Sequence, residues 1–404
     1  MRIGFQHLAW YALLLVASFG TIASTVFLGM VLVAARRFRR NIAKRRRDAS
    51  ALDKHPGVTM LKPIHGLEPR MEENLEGYFR LDYPNYEIVF GCRGPEDPAL
   101  EVVARLRNRY PKVNVRIIFS GPPTWPNAKV YSLDKMIATS TNDYFVITDS
   151  DITIQSDFLD IVVPYLLQPE VGLVTCLYRG IPAGDFWSRL EALGMSVELP
   201  SGVVVAEMLE GMRFALGAVM AVKRSALEKI EGIRTTADYY SDDFVLGNRV
   251  ADAGLNVVLE NPGVGHVLTA QTFARTFKTQ LRWMQSTRYS RPKGHFGTGL
   301  TFAMPYGILG AIAAAALHLY PAAISLLAWG YLNRVVQCYA VGWKLIGDPR
   351  AISGALLYPI RDLLGFAVWT ASYLGGDTFQ WRGELYRFTP GGRIVAASRN
   401  LQTN

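Results

Sequence analysis

Long apolar stretches lie towards both ends of the chain, and a more polar region separates them. Residues 8–35 carry no charged side chain. About 20 helical residues cross the hydrocarbon core of a bilayer, so this run predicts a transmembrane helix. Eight Arg and Lys residues follow it within Arg36 to Arg47, with no acid among them. A cleaved signal peptide carries its positive charges before the apolar region, so this order favours an uncleaved anchor.

Apolar segments return in the C-terminal quarter of the chain. Residues 300–319 and 321–343 predict two membrane helices joined by a short turn. A third segment, residues 352–375, contains Arg361 beside Asp362. Because a charged pair is costly in lipid, we expect it to face protein or water, or the segment to lie at the interface. The pattern therefore predicts two or three C-terminal membrane helices.

The region between these stretches predicts an α/β domain. Short apolar runs that end at Gly, Pro or acidic residues alternate there with helical patterns, which is typical of a mostly parallel sheet. In such sheets ligands bind beyond the carboxyl ends of the strands, so the polar residues after each run are candidates for chemistry. The runs lie at residues 58–61, 86–91, 113–119, 144–148 and 173–177, with a helical pattern over 98–110.

Composition and charge narrow the class of protein. Half of the 404 residues are apolar, 19% are charged and the mean hydropathy is +0.13, which excludes a disordered chain and favours a membrane protein. Without the eight clustered positives the net charge of +9 becomes +1, so no nucleic-acid partner is expected. Three scattered cysteines argue against a disulfide framework or a zinc site.

The predicted organisation follows from these patterns. The basic strip orients the chain with the following residues in the cytoplasm, and it can also bind anionic lipid headgroups. The expected segments are an anchor at 1–35, a basic linker at 36–55, the α/β domain at 56–298, membrane helices at 299–376 and a tail at 377–404.

Two acids follow the fourth apolar run, at Asp149 and Asp151. On an extended chain alternate side chains share one side, so these carboxylates would converge with Ser150 opposite. They repel unless a cation lies between them, and Mg²⁺ or Mn²⁺ prefers oxygen ligands that it shares with substrate phosphates. A solvated turn is the alternative interpretation.

Three further places carry candidate residues. Asp97 follows the second run and can bond a nucleobase or ribose, or cap the next helix. Asp242 and Asp243 open a predicted helix, where one acid can cap it and a second can deprotonate an acceptor hydroxyl. Arg282 with Trp283 can clamp phosphate and pack a sugar or nucleobase, or they can be juxtamembrane residues.

Taken in order, these motifs resemble the membrane-bound family-2-type glycosyltransferases of GT-A fold. More narrowly, the chain resembles family 21, the ceramide glucosyltransferases, and their bacterial relatives that include hopanoid glycosyltransferases. The resemblance extends from about Val58 to the C-terminus, and the ordered set of motifs carries it. Besides the places above, the set includes Lys62-Pro63-Ile64-His65-Gly66, Asn74-Leu75-Glu76, Leu81-Asp82-Tyr83-Pro84-Asn85-Tyr86-Glu87, Asn127-Ala128-Lys129-Val130, Arg291-Pro292-Lys293-Gly294, Arg361-Asp362-Leu363-Leu364 and Trp381-Arg382-Gly383.

The resemblance implies roles for the residues on the donor side. Asp97 would contact the nucleotide, and Lys129 would approach the nucleotide or the diphosphate. Asp149 and Asp151 would hold the sugar nucleotide together with a divalent cation, Mg²⁺ or Mn²⁺.

It also implies a general base. Asp243 would deprotonate the acceptor, with Asp242 beside it, while Arg282 and Trp283 would lie on the diphosphate and donor side. The family motif usually has Gln or Arg three positions before its Arg-Trp pair. Thr279 stands there in this chain, so the role of that position is open.

The implied function is inverting transfer of a sugar from a UDP-sugar to the hydroxyl of a membrane lipid, with glucose and ceramide as the first expectation. Transfer of N-acetylglucosamine to a hopanoid is an alternative, as is a polysaccharide synthase, although a channel needs more membrane spans. The non-enzymatic alternative is a lipid-binding membrane scaffold, and a small transporter fits the polar middle region poorly.

The lipid acceptor also has a candidate segment. Residues 189–220 are apolar but include four glutamates, which fits an interfacial amphipathic element. An ordinary helix pair in the α/β core is the alternative. We expect an integral protein of a bacterial inner membrane with its catalytic domain in the cytoplasm, and the oligomeric state stays open.

Overall fold

The protein is described by a computed structural model over residues 5–50, 55–270, 272–381 and 384–397. Its chain divides into two compact units that are each discontinuous in sequence. The first unit comprises Met1–Phe38, Gly184–Met208 and Ala270–Phe379, and the second comprises Arg39–Ala183, Leu209–Thr269 and Gln380–Asn404.

Strands alternate with helices through most of the second unit, as the sequence pattern predicts. The strands are β1 Val58–Pro63, β2 Tyr86–Cys92, β3 Asn114–Phe119, β4 Tyr144–Thr148, β5 Ile152–Thr153, β6 Val171–Ile181, β7 Val219–Lys223, β8 Asn256–Val267, β9 Thr378–Trp381, β10 Glu384–Thr389 and β11 Arg393–Ala396.

The helices include two π-helical turns, which follow α6 and α13 directly. Short 3₁₀ turns cover Ile233–Thr236 and Pro390–Gly392. The α-helices are α1 Phe5–Ser50, α2 Met71–Phe79, α3 Ala99–Arg109, α4 Ala128–Thr139, α5 Phe158–Leu166, α6 Phe186–Leu193, α7 Leu199–Glu210, α8 Arg224–Lys229, α9 Asp242–Asp252, α10 Phe273–Ser290, α11 Pro292–Gly299, α12 Met304–Ala316, α13 Tyr320–Gln337, α14 Arg350–Gly354 and α15 Tyr358–Leu374, and the π turns are Gly194–Glu198 and Cys338–Trp343.

One eight-stranded sheet organises the second unit, in the order β3-β2-β1-β4-β7-β6-β8-β5. The first four strands in that order run parallel, and β6 runs parallel to β8. Strand β7 is antiparallel to both neighbours, and β5 is antiparallel to β8. The predicted mostly parallel α/β sheet is therefore confirmed, with antiparallel insertions. Met60 pairs in register with Val146, and both are fully buried in the core.

The first unit consists mainly of apolar helices. Two helical segments that lie mainly in this unit, Gln6–Ala49 and Phe186–Glu210, are long and apolar enough to cross a membrane by length and composition. The bent pair Pro292–Gly299 and Met304–Ala316, at 44°, forms a third if it is one span. The predicted interfacial segment 189–220 is not one continuous element. Its helical part ends at Glu210, and its last two residues begin β7. These helices suit a membrane protein.

Arg361 and Asp362 face protein, as the cost of a charge in lipid predicts. Both are buried on α15 at 7% and 3% exposure. Asp362 pairs with Arg334, and Arg361 pairs with Glu198.

The basic strip is helical, since α1 continues without a break from the apolar run to Ser50. One of its positives, Arg46, forms an ion pair within the second unit. Arg46 donates from Nε and Nη2 to Glu260 at 3.0 and 2.8 Å, and from Nη2 to the carbonyl of Asn261 at 2.9 Å. Glu260 is fully buried and also accepts the Tyr165 hydroxyl at 2.7 Å. Arg46 therefore neutralises a buried carboxylate, a role that composition does not indicate.

Replacing Arg46 by Ala should lower the free energy of unfolding by roughly 1.5–3 kcal/mol, the range for hydrogen bonds to charged groups. Glu260 would keep the hydrogen bond from the Tyr165 hydroxyl but lose its ion pair with Arg46. Thermal unfolding of the full chain in detergent measures the change, and Arg40→Ala, an exposed position of the same strip, is the control. Equal melting temperatures for the two variants would contradict this role.

The predicted tail contributes a small sheet in the order β11-β10-β9. Its chain contacts the segment that leads into α9: Ile394 donates its backbone N–H to the carbonyl of Asp238 at 2.7 Å, and Tyr240 packs edge-on against Phe388. Of the motif at Trp381, Arg382 and Gly383 lie outside the described residues.

Candidate active site

Two acid motifs are joined in the second unit by one lysine. Lys129 lies in the first turn of α4, and its Nζ is 2.7 Å from Asp149 Oδ1 and 3.9 Å from Asp242 Oδ2. Asp149 follows β4 directly, and Asp242 begins α9. Burial by itself lowers the pKa of Lys129, but the attraction of Asp149 and Asp242 outweighs it and raises that pKa. The lysine is therefore a fixed cation between the two motifs.

Asn127 fixes the position of this lysine. Its side-chain oxygen caps α4 by accepting the N–H groups of Lys129 and Val130 at 3.1 and 3.2 Å. Its amide nitrogen donates to Asp242 Oδ1 at 3.3 Å and to the carbonyl of Tyr239 at 3.0 Å. One fully buried Asn thus ties the start of α4 to the start of α9.

The segment after β4 is a turn, which corrects the prediction of an extended chain. Residues Ser150 and Asp151 form the turn before β5, so the two carboxylates have different partners. Asp149 pairs with Lys129, whereas Asp151 Oδ2 lies 3.1 Å from His266 Nε2. Burial by itself raises the pKa of Asp151, but His266 outweighs it and lowers that pKa. The other oxygen of Asp151, Oδ1, is buried with no hydrogen-bond partner.

Lys62 lies beneath this turn at the end of β1. Its side chain is fully buried and donates to Thr148 Oγ1 at 3.0 Å and to the carbonyl oxygen of Asp149. Its Nζ also lies 3.9 Å from the centre of the Tyr78 ring. Burial lowers the pKa of Lys62 to about 7, against the attraction of Asp149 and Asp151. The lysine holds the backbone that carries the first acid.

Lys62→Met should lower the free energy of unfolding by roughly 1.5–3 kcal/mol, because buried acceptors at Thr148 and Asp149 lose a charged donor. It should also weaken UDP binding, because the turn loses its anchor. Thermal unfolding and UDP titration measure the two effects, with Lys229→Met at an exposed position as the control. Unchanged values in both measurements would rule out this anchoring role.

Glu68 contacts the same turn through Ser150. Ser150 Oγ donates to Glu68 Oε2 at 2.7 Å. Burial raises the pKa of Glu68, and the nearby Asp151 and Asp149 raise it further, while the Ser150 hydrogen bond opposes them. The groups around the turn are therefore four carboxylates and two lysines: Asp149, Asp151, Glu68, Asp242, Lys62 and Lys129.

Asp243 differs from its neighbour Asp242 in its surroundings. Its Oδ1 accepts the Phe244 N–H at 2.8 Å, and a Cβ at Gly217 would lie 3.0 Å from its Oδ2, so the glycine leaves room for this carboxylate. Burial and the negative charge of Asp242 raise the pKa of Asp243 to about 6. The N-cap position of α9 is Ser241, so both acids lie in the first turn and not at the cap. A raised pKa is compatible with a general base, and that role of Asp243 stays a prediction.

Asp97 has a structural role at the end of β2. Its carboxylate accepts the N–H of Gly66 at 3.0 and 3.2 Å and that of Ala99 at 3.0 Å, and it lies 3.4 Å from His65 Nδ1. It is 8% exposed. Asp97 thus accepts the first N–H of α3, although the N-cap position itself is Pro98, and contact with a nucleotide stays a prediction.

Arg282 and Trp283 lie on α10, in the first unit. Trp283 is exposed, whereas Gln280 is buried and Thr279 is half-buried. Their predicted place on the diphosphate and donor side stays a prediction.

Sequence reasoning overlooked His266 and Glu68. Neither belongs to a recognisable local motif, since β8 and the segment after β1 reach the turn only through the sheet. Lys62 and Asn127 stand in the motifs quoted above without an assigned role.

The comparisons with known proteins agree with these motifs. The sequence model of glycosyl transferase family 21 matches residues 16–394. Ceramide glucosyltransferase 3 of Caenorhabditis elegans is 23% identical over 345 residues, covering 84% of this chain and 74% of that protein. A ceramide glucosyltransferase of Komagataella phaffii is 36% identical over 107 residues, covering 26% and 21%.

Solved structures that match the chain over most of its length include a glycosyltransferase complex. The mannosyltransferase from Pyrobaculum calidifontis in complex with GDP-Man and Mn²⁺ has a TM-score of 0.49 and 21% identity, covering 89% of this chain and 97% of that one. The family model spans nearly the whole chain and confirms the resemblance that the ordered motifs indicate. The chain belongs to glycosyl transferase family 21 and is a glycosyltransferase.

Proposed function

We propose that this glycosyltransferase moves glucose from UDP-glucose to the hydroxyl of a ceramide-like membrane lipid, with inversion at the anomeric carbon. The observation that carries the proposal is the bridge of Lys129 between Asp149 and Asp242. In this proposal Asp149 belongs to the donor side and Asp242 lies beside the general base, and one cation joins the two motifs. The ceramide glucosyltransferases among its relatives support the choice of sugar and lipid.

The donor side has a place for a divalent cation. Asp151 Oδ1 is buried without a hydrogen-bond partner, and Asp149 lies two residues away. Among the described residues, no group of three or more His, Cys, Asp or Glu side chains could hold a metal by itself. The residues fit Mg²⁺ or Mn²⁺ bound by Asp149 and Asp151 together with the donor diphosphate, which is how Mg²⁺ usually binds. When bound, the ion would offset charge on the departing diphosphate.

Asp243 acts as the general base in this proposal. Its carboxylate takes the proton of the acceptor hydroxyl while that oxygen forms a bond to the anomeric carbon. The bond from this carbon to the diphosphate oxygen breaks, and UDP leaves with the electron pair. One base and one in-line displacement give a β-linked product from an α-linked donor. Lys129 balances the charge of Asp149 and Asp242 throughout.

The family resemblance also implies donor-binding roles for three further residues. Asp97 contacts the nucleotide, and Arg282 with Trp283 binds the diphosphate and donor side. Arg282→Ala should raise KM for the UDP-sugar. Arg275→Ala, at an exposed position on the same helix, is the control and should leave that KM unchanged.

The membrane arrangement is also a proposal. The positive-inside rule places the domain after Arg47 in the cytoplasm of a bacterial inner membrane. Exchanging the seven positives other than Arg46 for Gln tests orientation while keeping the Glu260 contact. We expect protease added outside intact cells to spare the wild-type domain. Cleavage of that domain from outside would contradict the orientation.

A transfer assay tests the function. The purified full chain is incubated with labelled UDP-glucose, UDP-N-acetylglucosamine or UDP-galactose and with extracted lipids, and the products are identified by mass spectrometry. A single hexose on a ceramide-like lipid is expected. Transfer of N-acetylglucosamine to a hopanoid would contradict the proposed sugar and lipid. A long polymer would indicate a polysaccharide synthase. Absence of transfer from every donor would favour the scaffold.

A further inference from the structure

A polar cluster lies among the apolar helices of the first unit. It includes two ion pairs, Arg334 with Asp362 at 3.0 Å and Arg361 with Glu198 at 2.8 Å. Charged groups in segments of this kind are costly, so each pair needs a structural or a functional reason.

The first pair is complete. Arg334 donates from Nη1 to Asp362 Oδ1 and from Nη2 and Nε to Asn333 Oδ1, so all three of its nitrogens have partners. Asp362 Oδ2 accepts the N–H groups of Ala303 and Met304 at 2.9 and 2.8 Å, at the start of α12. This pair closes a helix end and needs no ligand.

The second pair is incomplete. Only Nη2 of Arg361 meets Glu198, and its Nε and Nη1 are buried without a hydrogen-bond partner although the residue is 7% exposed. Burying such donors unpaired costs free energy, so they point to a ligand that supplies an acceptor. The side chain of Glu198 is 30% exposed, which leaves the pair open to an entering group.

The backbone around this arginine is unusual. Glu198 ends the π-helical turn Gly194–Glu198, and such turns are frequent at functional sites. A Cβ at Gly194 would lie 2.5 Å from Arg361 Nε, and one at Gly365 would lie 3.1 Å from Nη1. Two glycines therefore keep the space that the guanidinium occupies.

We propose that Arg361 and Glu198 bind the polar head of the lipid acceptor. Arg361 offers N–H donors to a carbonyl oxygen, and Glu198 accepts from an amide N–H or a hydroxyl. The pair has no net charge, and Glu198 would repel a phosphate. A neutral head with both an amide and a hydroxyl, as in a ceramide, fits this set, whereas a diacylglycerol lacks the amide N–H. This inference rests on the proposed function and assigns the acceptor site within it.

The test measures lipid and donor kinetics separately. Glu198→Gln and Arg361→Ala are assayed in mixed micelles with N-hexanoylsphingosine and UDP-glucose. We expect KM for N-hexanoylsphingosine to rise about tenfold or more, with KM for UDP-glucose unchanged. Arg334→Lys is the matched control, since it changes a complete ion pair whose acid, Asp362, lies on the same helix as Arg361. It should lower the melting temperature but leave KM for the lipid unchanged.

Binding without turnover separates this inference from the proposed function. N-hexanoylsphingosine alone should raise the melting temperature of the wild-type chain, and Glu198→Gln, which keeps the side-chain volume, should abolish the shift. Dioctanoylglycerol and phosphatidylglycerol should give smaller shifts. If the wild type transfers no sugar but the shift is observed and lost, the proposed function fails and the lipid site stands. An unaltered shift and lipid KM in Glu198→Gln, or a larger shift with phosphatidylglycerol, would overturn the site.

Discussion

Asp243→Asn should lower kcat about 10²–10⁴-fold, the usual cost of losing a general base, while UDP affinity stays nearly unchanged. The two neighbouring acids have different surroundings. Asp242 is held by Lys129 and Asn127, whereas burial and the charge of Asp242 raise the pKa of Asp243 to about 6. A base whose pKa lies close to the working pH removes a proton more effectively than an ordinary carboxylate.

The same assignment fixes the pH dependence. Asp243 must be deprotonated to act, so kcat/KM should fall as the pH decreases through about 6 and level off above it. Asp252→Asn is the control, since Asp252 lies at the exposed end of the same helix. Near-normal turnover of Asp243→Asn with N-hexanoylsphingosine would show that another group takes the proton.

The strands that the sequence predicts well are the buried ones with a continuous apolar run. Residues 144–148 coincide with β4, and the run that begins at Val58 extends two residues further, to Pro63. The prediction did not find β7 and β8, and for β7 the reason is visible. Strand β7 pairs antiparallel between β4 and β6, and its first two residues end the apolar segment 189–220, whose pattern predicts an interfacial amphipathic element. Periodicity alone does not separate a short buried strand from a buried helix.

The sequence indicates both acid motifs because each stands next to a predicted strand end or helix start. The contacts that join these motifs in space cannot be predicted from neighbouring residues in the sequence. Lys129 meets Asp242 across more than a hundred residues, and His266 reaches Asp151 only because β5 pairs with β8. The assumption that Asp149 and Asp151 share one side failed because a turn replaces the extended chain there. Local spacing predicts which residue types carry chemistry, and the sheet order decides which of them meet.

Asp149 and Asp151 have two alternative roles: pairing with side chains of the protein, or binding a divalent cation. Their present partners are side chains of the protein itself, Lys129 and His266, so one role for both carboxylates is purely structural. The unpartnered buried oxygen of Asp151 favours the second role, in which a divalent cation and the donor diphosphate complete the site. A chelator would leave a structural pair intact, whereas it would inactivate a metal site.

EDTA should therefore abolish transfer, and Mg²⁺ or Mn²⁺ should restore it. Asp151→Ala should weaken Mn²⁺-dependent UDP binding at least about tenfold, because even partners of metal ligands change metal affinity by 10–100-fold. Titration calorimetry of UDP with and without Mn²⁺ measures this loss independently of turnover. Asp157→Asn is a matched control, since Asp157 is exposed six residues further along the chain. If the wild-type chain keeps full activity in EDTA, and Mn²⁺ leaves its UDP affinity unchanged, the two carboxylates act only through Lys129 and His266. Charge on the departing diphosphate would then be offset by the protein's own cations.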